Sequence, residues 1–164
     1  MASDKFAMNE NLETMSRCLD NSVREVLGTM AGFELMQIAL SDAERSSHPA
    51  EITGAMLLRG PRDAMLSIST KKITAEVIVA YMTGLLPDEV DTDDLYDGVS
   101  ELVNLVAGRT KAQLSGHNLH FELSPPLTIV GDGHFIIHKN QVAKISLKYG
   151  SGEIELFIEM FFIS

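Results

Sequence analysis

Two segments of this 164-residue chain repeat one pattern, and the repetition limits what the chain can fold into. Val23-Arg-Glu25-Val-Leu-Gly28-Thr-Met-Ala31-Gly32 lies over Val99-Ser-Glu101-Leu-Val-Asn104-Leu-Val-Ala107-Gly108, with Val, Glu, Ala and Gly coinciding. In both segments apolar residues recur at three and four positions, the period of a helix with one buried face. Each copy is followed by Phe-Glu-Leu (Phe33–Leu35 and Phe121–Leu123) and later by a hairpin, with Arg59-Gly60 matching Tyr149-Gly150. This reads as one domain over 1–164, made of two helix-plus-strands halves at approximately 9–84 and 92–164, related by a pseudo-two-fold axis.

The patterning between these landmarks predicts an α+β fold in which long helices pack on an antiparallel sheet. The first helix should run from Asn11 to Ala31 and stop at Gly32, followed by a strand over Phe33–Leu40 and a polar loop over Ser41–Glu51. Ile52–Arg59 and Ala64–Lys71, joined by Gly60-Pro61-Arg62-Asp63, form a hairpin. A helix over Thr74–Met82 ends at Gly84, and Asp93 or Asp94 caps the next, which reaches about Leu114. Strand follows over Phe121–Val130, broken at Pro125-Pro126, with a short strand over Phe135–His138. A final hairpin alternates Ala143, Ile145, Leu147 and Tyr149 with lysine and serine, then Ile154, Leu156, Ile158 and Met160 with mainly glutamate. Phe157, Phe161 and Phe162 make the last strand apolar on both faces, which reads either as a central strand or as a subunit contact.

Composition narrows the function. A formal net charge of −10 and a pI near 4.8 exclude the basic surfaces that nucleic acid and anionic membranes require. No segment reaches the roughly 18 uninterrupted apolar residues of a membrane span, and the N-terminus lacks a signal-peptide core. Cys18 is the single cysteine, so no intrachain disulfide forms, and a cytoplasmic location is expected. His117 with His120, and His134 with His138, have ligand-like spacing but sit in loop and strand segments with no acid or thiol to complete a set. No metal site is expected there.

At about 100° per residue, Asp97, Glu101, Asn104, Gly108 and Lys111 fall on one stripe of the second repeated helix, opposite Val99, Leu102, Val103 and Val106. Glu101 and Asn104 are neighbours on that stripe, but the first copy has Gly28 where the second has Asn104. If the pair does chemistry, one helix alone can do it.

Several motifs recur in one order: Gly54-Ala-Met-Leu-Leu-Arg-Gly60-Pro-Arg-Asp-Ala64 running to Ser69, Met82-Thr-Gly84, Asp97-x-x-x-Glu101-x-x-Asn104-x-x-x-Gly108, and Leu123-Ser-Pro125-Pro reaching Gly131. In these the chain resembles the CheC/CheX/FliY family of chemotaxis phosphatases, specifically the single-site CheX type. The resemblance is strong over Gly54–Gly131 and architectural elsewhere. It implies hydrolysis of the phospho-aspartate of a CheY-like response regulator, with Glu101 paired to the regulator's invariant lysine and Asn104 orienting the attacking water. It further implies no cofactor of its own, a magnesium ion in the partner, and a homodimer formed through strands, which favours the subunit-contact reading of the last strand. On the same stripe Asp97, Gly108 and Lys111 are expected to join Glu101 in binding the partner, Lys111 by meeting its acidic groups; the structural alternatives are that Asp97 caps or supports the helix start and that Gly108 allows close packing. A non-catalytic scaffold that binds a regulator or forms part of a flagellar switch is the alternative reading. Retention of both Glu101 and Asn104 speaks against it, because a scaffold has no need for the amide.

Overall fold

The computed structural model describes all residues except 1, 33, 47, 138–142, 153 and 164, and leaves aside the side chains of 2–9, 30, 31 and 46. In chain order the elements are α1 (Ala2–Ala31), β1 (Met36–Ile38), α2 (Asp42–Ser46), β2 (Ala50–Arg59), β3 (Ala64–Thr70) and α3 (Lys72–Thr83). After a 3₁₀ turn at Pro87–Glu89 come α4 (Thr92–Ser115), β4 (Glu122–Leu123), β5 (Leu127–His134), β6 (Lys144–Ser151) and β7 (Ile154–Phe162). The expected α+β architecture is present, with α1 and α4 packed together and against an antiparallel sheet.

The strands lie in the order β1-β6-β7-β3-β2, and the far edge of β2 is shared by β4 and β5. Exchanging β1 with β5, β2 with β6 and β3 with β7 leaves this order unchanged, the signature of a pseudo-two-fold axis. The strand that follows each long helix pairs with the hairpin of the opposite half: β1 with β6, β5 with β2.

The main core lies between the long helices and the sheet. Leu19, Val23 and Leu27 of α1 meet Val103, Val106 and Leu114 of α4 over Leu58, Leu66, Leu156 and Ile158. Tyr149 is fully buried among them, and its hydroxyl donates to Asp20 Oδ1 at 2.7 Å, so this buried polar group is satisfied. Burial and that carboxylate both push the Tyr149 hydroxyl up from its ordinary value. A smaller cluster of Ile52, Ala75, Val79, Leu95 and Val99 seats α3 beside α4. There Gly98 is needed because a Cβ would lie 2.5 Å from Val79 Cγ2.

Several expectations need correction. α1 begins far ahead of Asn11, since nothing in 2–10 breaks a helix even though apolar periodicity starts only at Leu12. The strand expected over Phe33–Leu40 is only Met36–Ile38, and α2 interrupts the expected loop. α2 carries a legible signal: Ser41 Oγ accepts from the Glu44 N–H while the Glu44 carboxylate accepts from the Ser41 N–H, a capping box. The cap of α4 is Asp91, whose side chain accepts from the Asp94 N–H at 2.8 Å; Asp94 reciprocates from inside the first turn. Residues 135–137 are not strand, and His138 lies outside the described residues. β7 is a central strand, paired to β6 on one side and β3 on the other, so its edges have no room for a subunit contact. Its apolar outer residues are used within the chain, as where Phe157 stacks on His48 with centroids 4.2 Å apart.

On the sheet face away from the long helices, α2 is held by Lys148, whose ammonium donates to Glu44 Oε2 at 2.8 Å. Lys148, aided by the Ser41 N–H, brings the Glu44 carboxyl down to about 2 from its ordinary 4.5. A carboxyl with a depressed folded value adds stability above about 4.5 and loses it as the pH falls from there to about 2. Thermal unfolding of wild type and Glu44→Gln should therefore differ at neutral pH and converge across that window. Parallel curves would show that the contact adds nothing.

Candidate functional site

The site is built on α4, whose buried side is fixed from below. β2 passes directly under the helix at Gly54, where a Cβ would lie 2.9 Å from the Val99 carbonyl oxygen. Ser100 Oγ and Thr128 Oγ1 meet at 2.7 Å, and Thr128 Oγ1 also donates to the Tyr96 carbonyl at 3.1 Å, tying α4 to β5. On the α1 side Gln113 Nε2 donates to Ser22 Oγ at 3.1 Å, and Ser22 in turn donates to the Cys18 carbonyl at 2.7 Å. Leu102, Val103, Val106 and Ala107 are all buried. Helix geometry then turns the opposite stripe outward.

On that stripe Asp97, Glu101 and Lys111 are exposed, and Asn104 and Gly108 are half-buried. Among the described residues the side chains of Glu101 and Asn104 have no hydrogen-bond or ion-pair partner. A carboxylate and a carboxamide one turn apart, positioned by a rigid helix and committed to nothing inside the fold, are free to meet groups on another molecule. The carboxylate can pair with a cation; the carboxamide can donate and accept at once without adding charge.

Asn104 and Gly108 line a shallow groove between α4 and α1, together with Leu105 and Arg109 of α4 and Glu25 and Val26 of α1. Glu101, Asp97 and Lys111 lie outside that groove, so the stripe is brought together as a helix face rather than as an enclosed pocket. A Cβ on Gly108 would meet nothing within 4 Å. Close packing within the chain is therefore not what Gly108 serves.

One pair in the groove is not visible in local sequence. Arg109 Nε donates to Glu25 Oε2 at 2.8 Å, and its Nη2 donates to Oε1, giving a bidentate contact between residues of the two repeats. The guanidinium holds the Glu25 carboxyl below its ordinary value, and Glu25 raises Arg109 in turn. The only available signal was the repeat itself, which marks Glu25 as the counterpart of Glu101.

Of the histidines with ligand-like spacing, His134 and His120 are tied into the fold. His134 Nδ1 lies 2.6 Å from the Gly131 carbonyl and its Nε2 lies 2.7 Å from Thr53 Oγ1, while His120 Nδ1 lies 3.0 Å from Ser115 Oγ. Among the described residues no group of His, Cys, Asp or Glu is arranged to hold a metal ion, and no helix is long and apolar enough to cross a membrane.

This fold, with an exposed acid–amide stripe on the second of two duplicated helices, defines a class of proteins. The family model of the chemotaxis phosphatase CheX matches residues 52–149, more than half of the chain. The chain belongs to the CheX family of chemotaxis phosphatases. Among solved structures it is similar to a CheC-like superfamily protein from Shewanella sp. PV-4, with a TM-score of 0.81, 28% identity, and 92% of this chain and 98% of that chain covered. The chemotaxis protein CheX from Vibrio vulnificus is similar with a TM-score of 0.79 and 26% identity, covering 90% of this chain and 95% of that one. A more distant likeness in fold is the CheX of Borrelia burgdorferi, solved as a complex with CheY, BeF3 and magnesium. It has a TM-score of 0.69 and 15% identity, covering 89% of this chain and 95% of that one. None of the curated proteins matches the chain.

Proposed function

We propose that this protein hydrolyses the phospho-aspartate of a CheY-like response regulator, docking through Glu101 and inserting Asn104. The observation that carries this reading is the uncommitted Glu101/Asn104 pair on the outward face of α4 in a chain of the CheX family. The Borrelia relative, solved with CheY, indicates the kind of partner the fold accepts.

Acyl phosphate hydrolysis needs charge on the phosphoryl oxygens neutralised and a water held in line behind phosphorus. The regulator brings its own magnesium ion and an invariant lysine for the first task. Glu101 pairs with that lysine and fixes the approach of the helix. Asn104 then holds the water: its carbonyl accepts a water hydrogen while its amide donates toward a phosphoryl oxygen. The water oxygen bonds to phosphorus, the bond from phosphorus to the aspartyl oxygen breaks, the water protons stay with the new phosphate, and inorganic phosphate leaves while the freed aspartate carboxylate remains on the regulator. Gly108 leaves space for the regulator surface, Asp97, inside a helix whose cap is Asp91, extends the docking face rather than supporting the helix start, and Lys111 supplies a cation against a typically acidic partner. The cytoplasmic location belongs with this reading. A homodimer also does, formed through the outer edges of β1 or β5, since both edges of β7 are already paired.

The direct test is the decay of a phosphorylated CheY-like regulator with substoichiometric amounts of this protein. Faster decay with turnover supports the proposal, and tight binding without faster decay would favour a scaffold. Glu101→Ala should raise KM roughly 10- to 100-fold, the loss of one charge-assisted contact, with a smaller change in kcat. An unchanged KM would remove Glu101 from the docking role.

A further inference from the structure

The two repeated helices differ in more than the amide. Glu101 has no partner among the described residues, whereas its counterpart Glu25 is gripped through both carboxylate oxygens by Arg109. In the repeat alignment the position of Arg109 falls on Phe33 in the first copy, a residue with no cation to offer Glu101 in return. The repeat is therefore asymmetric in a second way, and the asymmetry lies in the group that docks rather than the group that reacts.

We infer that Arg109 silences the face of α1 that duplicates the Glu101/Asn104 stripe. The chain is held to one regulator-docking site by two separate lesions, the missing amide at Gly28 and the engaged carboxylate at Glu25. This rests on the reading of Glu101 as the docking carboxylate. A lysine arriving on another molecule would have to replace a two-pronged guanidinium contact with a single ammonium. It would also compete with a partner already present in the same chain at high effective concentration. Glu25 is half-exposed and chemically equivalent to Glu101, so neither burial nor residue type keeps it from docking. Arg109 does.

The inference predicts a restored second site. In an Asn104→Ala background, adding Gly28→Asn alone should leave phospho-regulator decay at the background rate, because Glu25 stays occupied. Adding Arg109→Ala as well should bring back accelerated decay. Adding Glu25→Gln to that triple variant should abolish the gain again, which a general loosening of the helices would not explain. With Asn104 retained, binding of a beryllofluoride- and magnesium-loaded regulator should rise from one per chain in Gly28→Asn to two per chain in Gly28→Asn/Arg109→Ala. Acceleration by Asn104→Ala/Gly28→Asn without the third change would overturn the inference. So would a folded triple variant that neither accelerates decay nor binds through α1. If wild type itself fails to accelerate decay, the phosphatase reading falls, and the binding stoichiometry still decides the role of Arg109. Gly28→Asn replaces a poor helix former on an exposed position, and Arg109→Gln serves as a milder release of Glu25 if the alanine variant unfolds.

Discussion

Asn104→Ala is expected to fold and to bind the phospho-regulator as before while losing the acceleration of dephosphorylation, a fall of about 10²-fold or more in kcat. Asn104 has no hydrogen-bond partner among the described residues, so its removal leaves no buried group unsatisfied, and stability should change by less than about 0.5 kcal/mol. What disappears is the group that holds water behind phosphorus. Asn104→Asp sharpens the test because it keeps the shape and exchanges a neutral amide for a carboxylate facing a phosphoryl group, and it should be as inactive as alanine. Decay of the phospho-regulator at saturating and subsaturating concentrations separates kcat from KM. Wild-type decay with the alanine variant, confirmed as folded by its unfolding temperature, would sink the assignment.

The largest effect on stability is expected from Gly54→Val. A Cβ there would stand 2.9 Å from the Val99 carbonyl oxygen, 3.1 Å from Val99 Cγ1 and 3.2 Å from Val103 Cβ, and none of these is the free end of a flexible side chain. The strand and helix must part. Overpacking of this kind costs about 1–3 kcal/mol, and in a chain of this size each kcal/mol lowers Tm by roughly 2–4 °C. Gly54→Ala should show a smaller fall in the same direction. Because Val99 and Val103 lie on the underside of the turns that carry Glu101 and Asn104, activity should drop even below the unfolding temperature. An unchanged Tm would mean that α4 does not rest on β2 at this point.

The major elements and the α4 stripe were readable because helices and alternating strands announce their own period. Gly32 and Gly84 end their helices with positive φ as a glycine stop requires, and the Pro125-Pro126 break separates β4 from β5. The errors arose where several local candidates compete or where long-range context decides. Asp91, Asp93 and Asp94 are all plausible caps by composition, and only the turn that closes on Asp94 selects Asp91. β7 looked two-faced for the right reason, yet whether its second face meets another subunit or His48 depends on a segment over a hundred residues earlier in the chain. The Glu25–Arg109 contact was equally hidden, since each residue alone reads as a solvated charge on a helix.

The crossed pairing of the halves also governs how the molecule can be made. Met36 pairs with Gly150, and Ala64 with Phe162, so the first half emerges during synthesis with β1 unpaired and one edge of β3 bare until the last strand arrives. Closing such distant contacts is slow, because the chain entropy is lost before the pairing is gained. Until then the apolar undersides of α1 and α4 have only part of the sheet to cover them. A nascent chain of this topology therefore carries an open β3 edge that invites association with a second nascent chain, a hazard that ends only when β7 slides into the middle of the sheet.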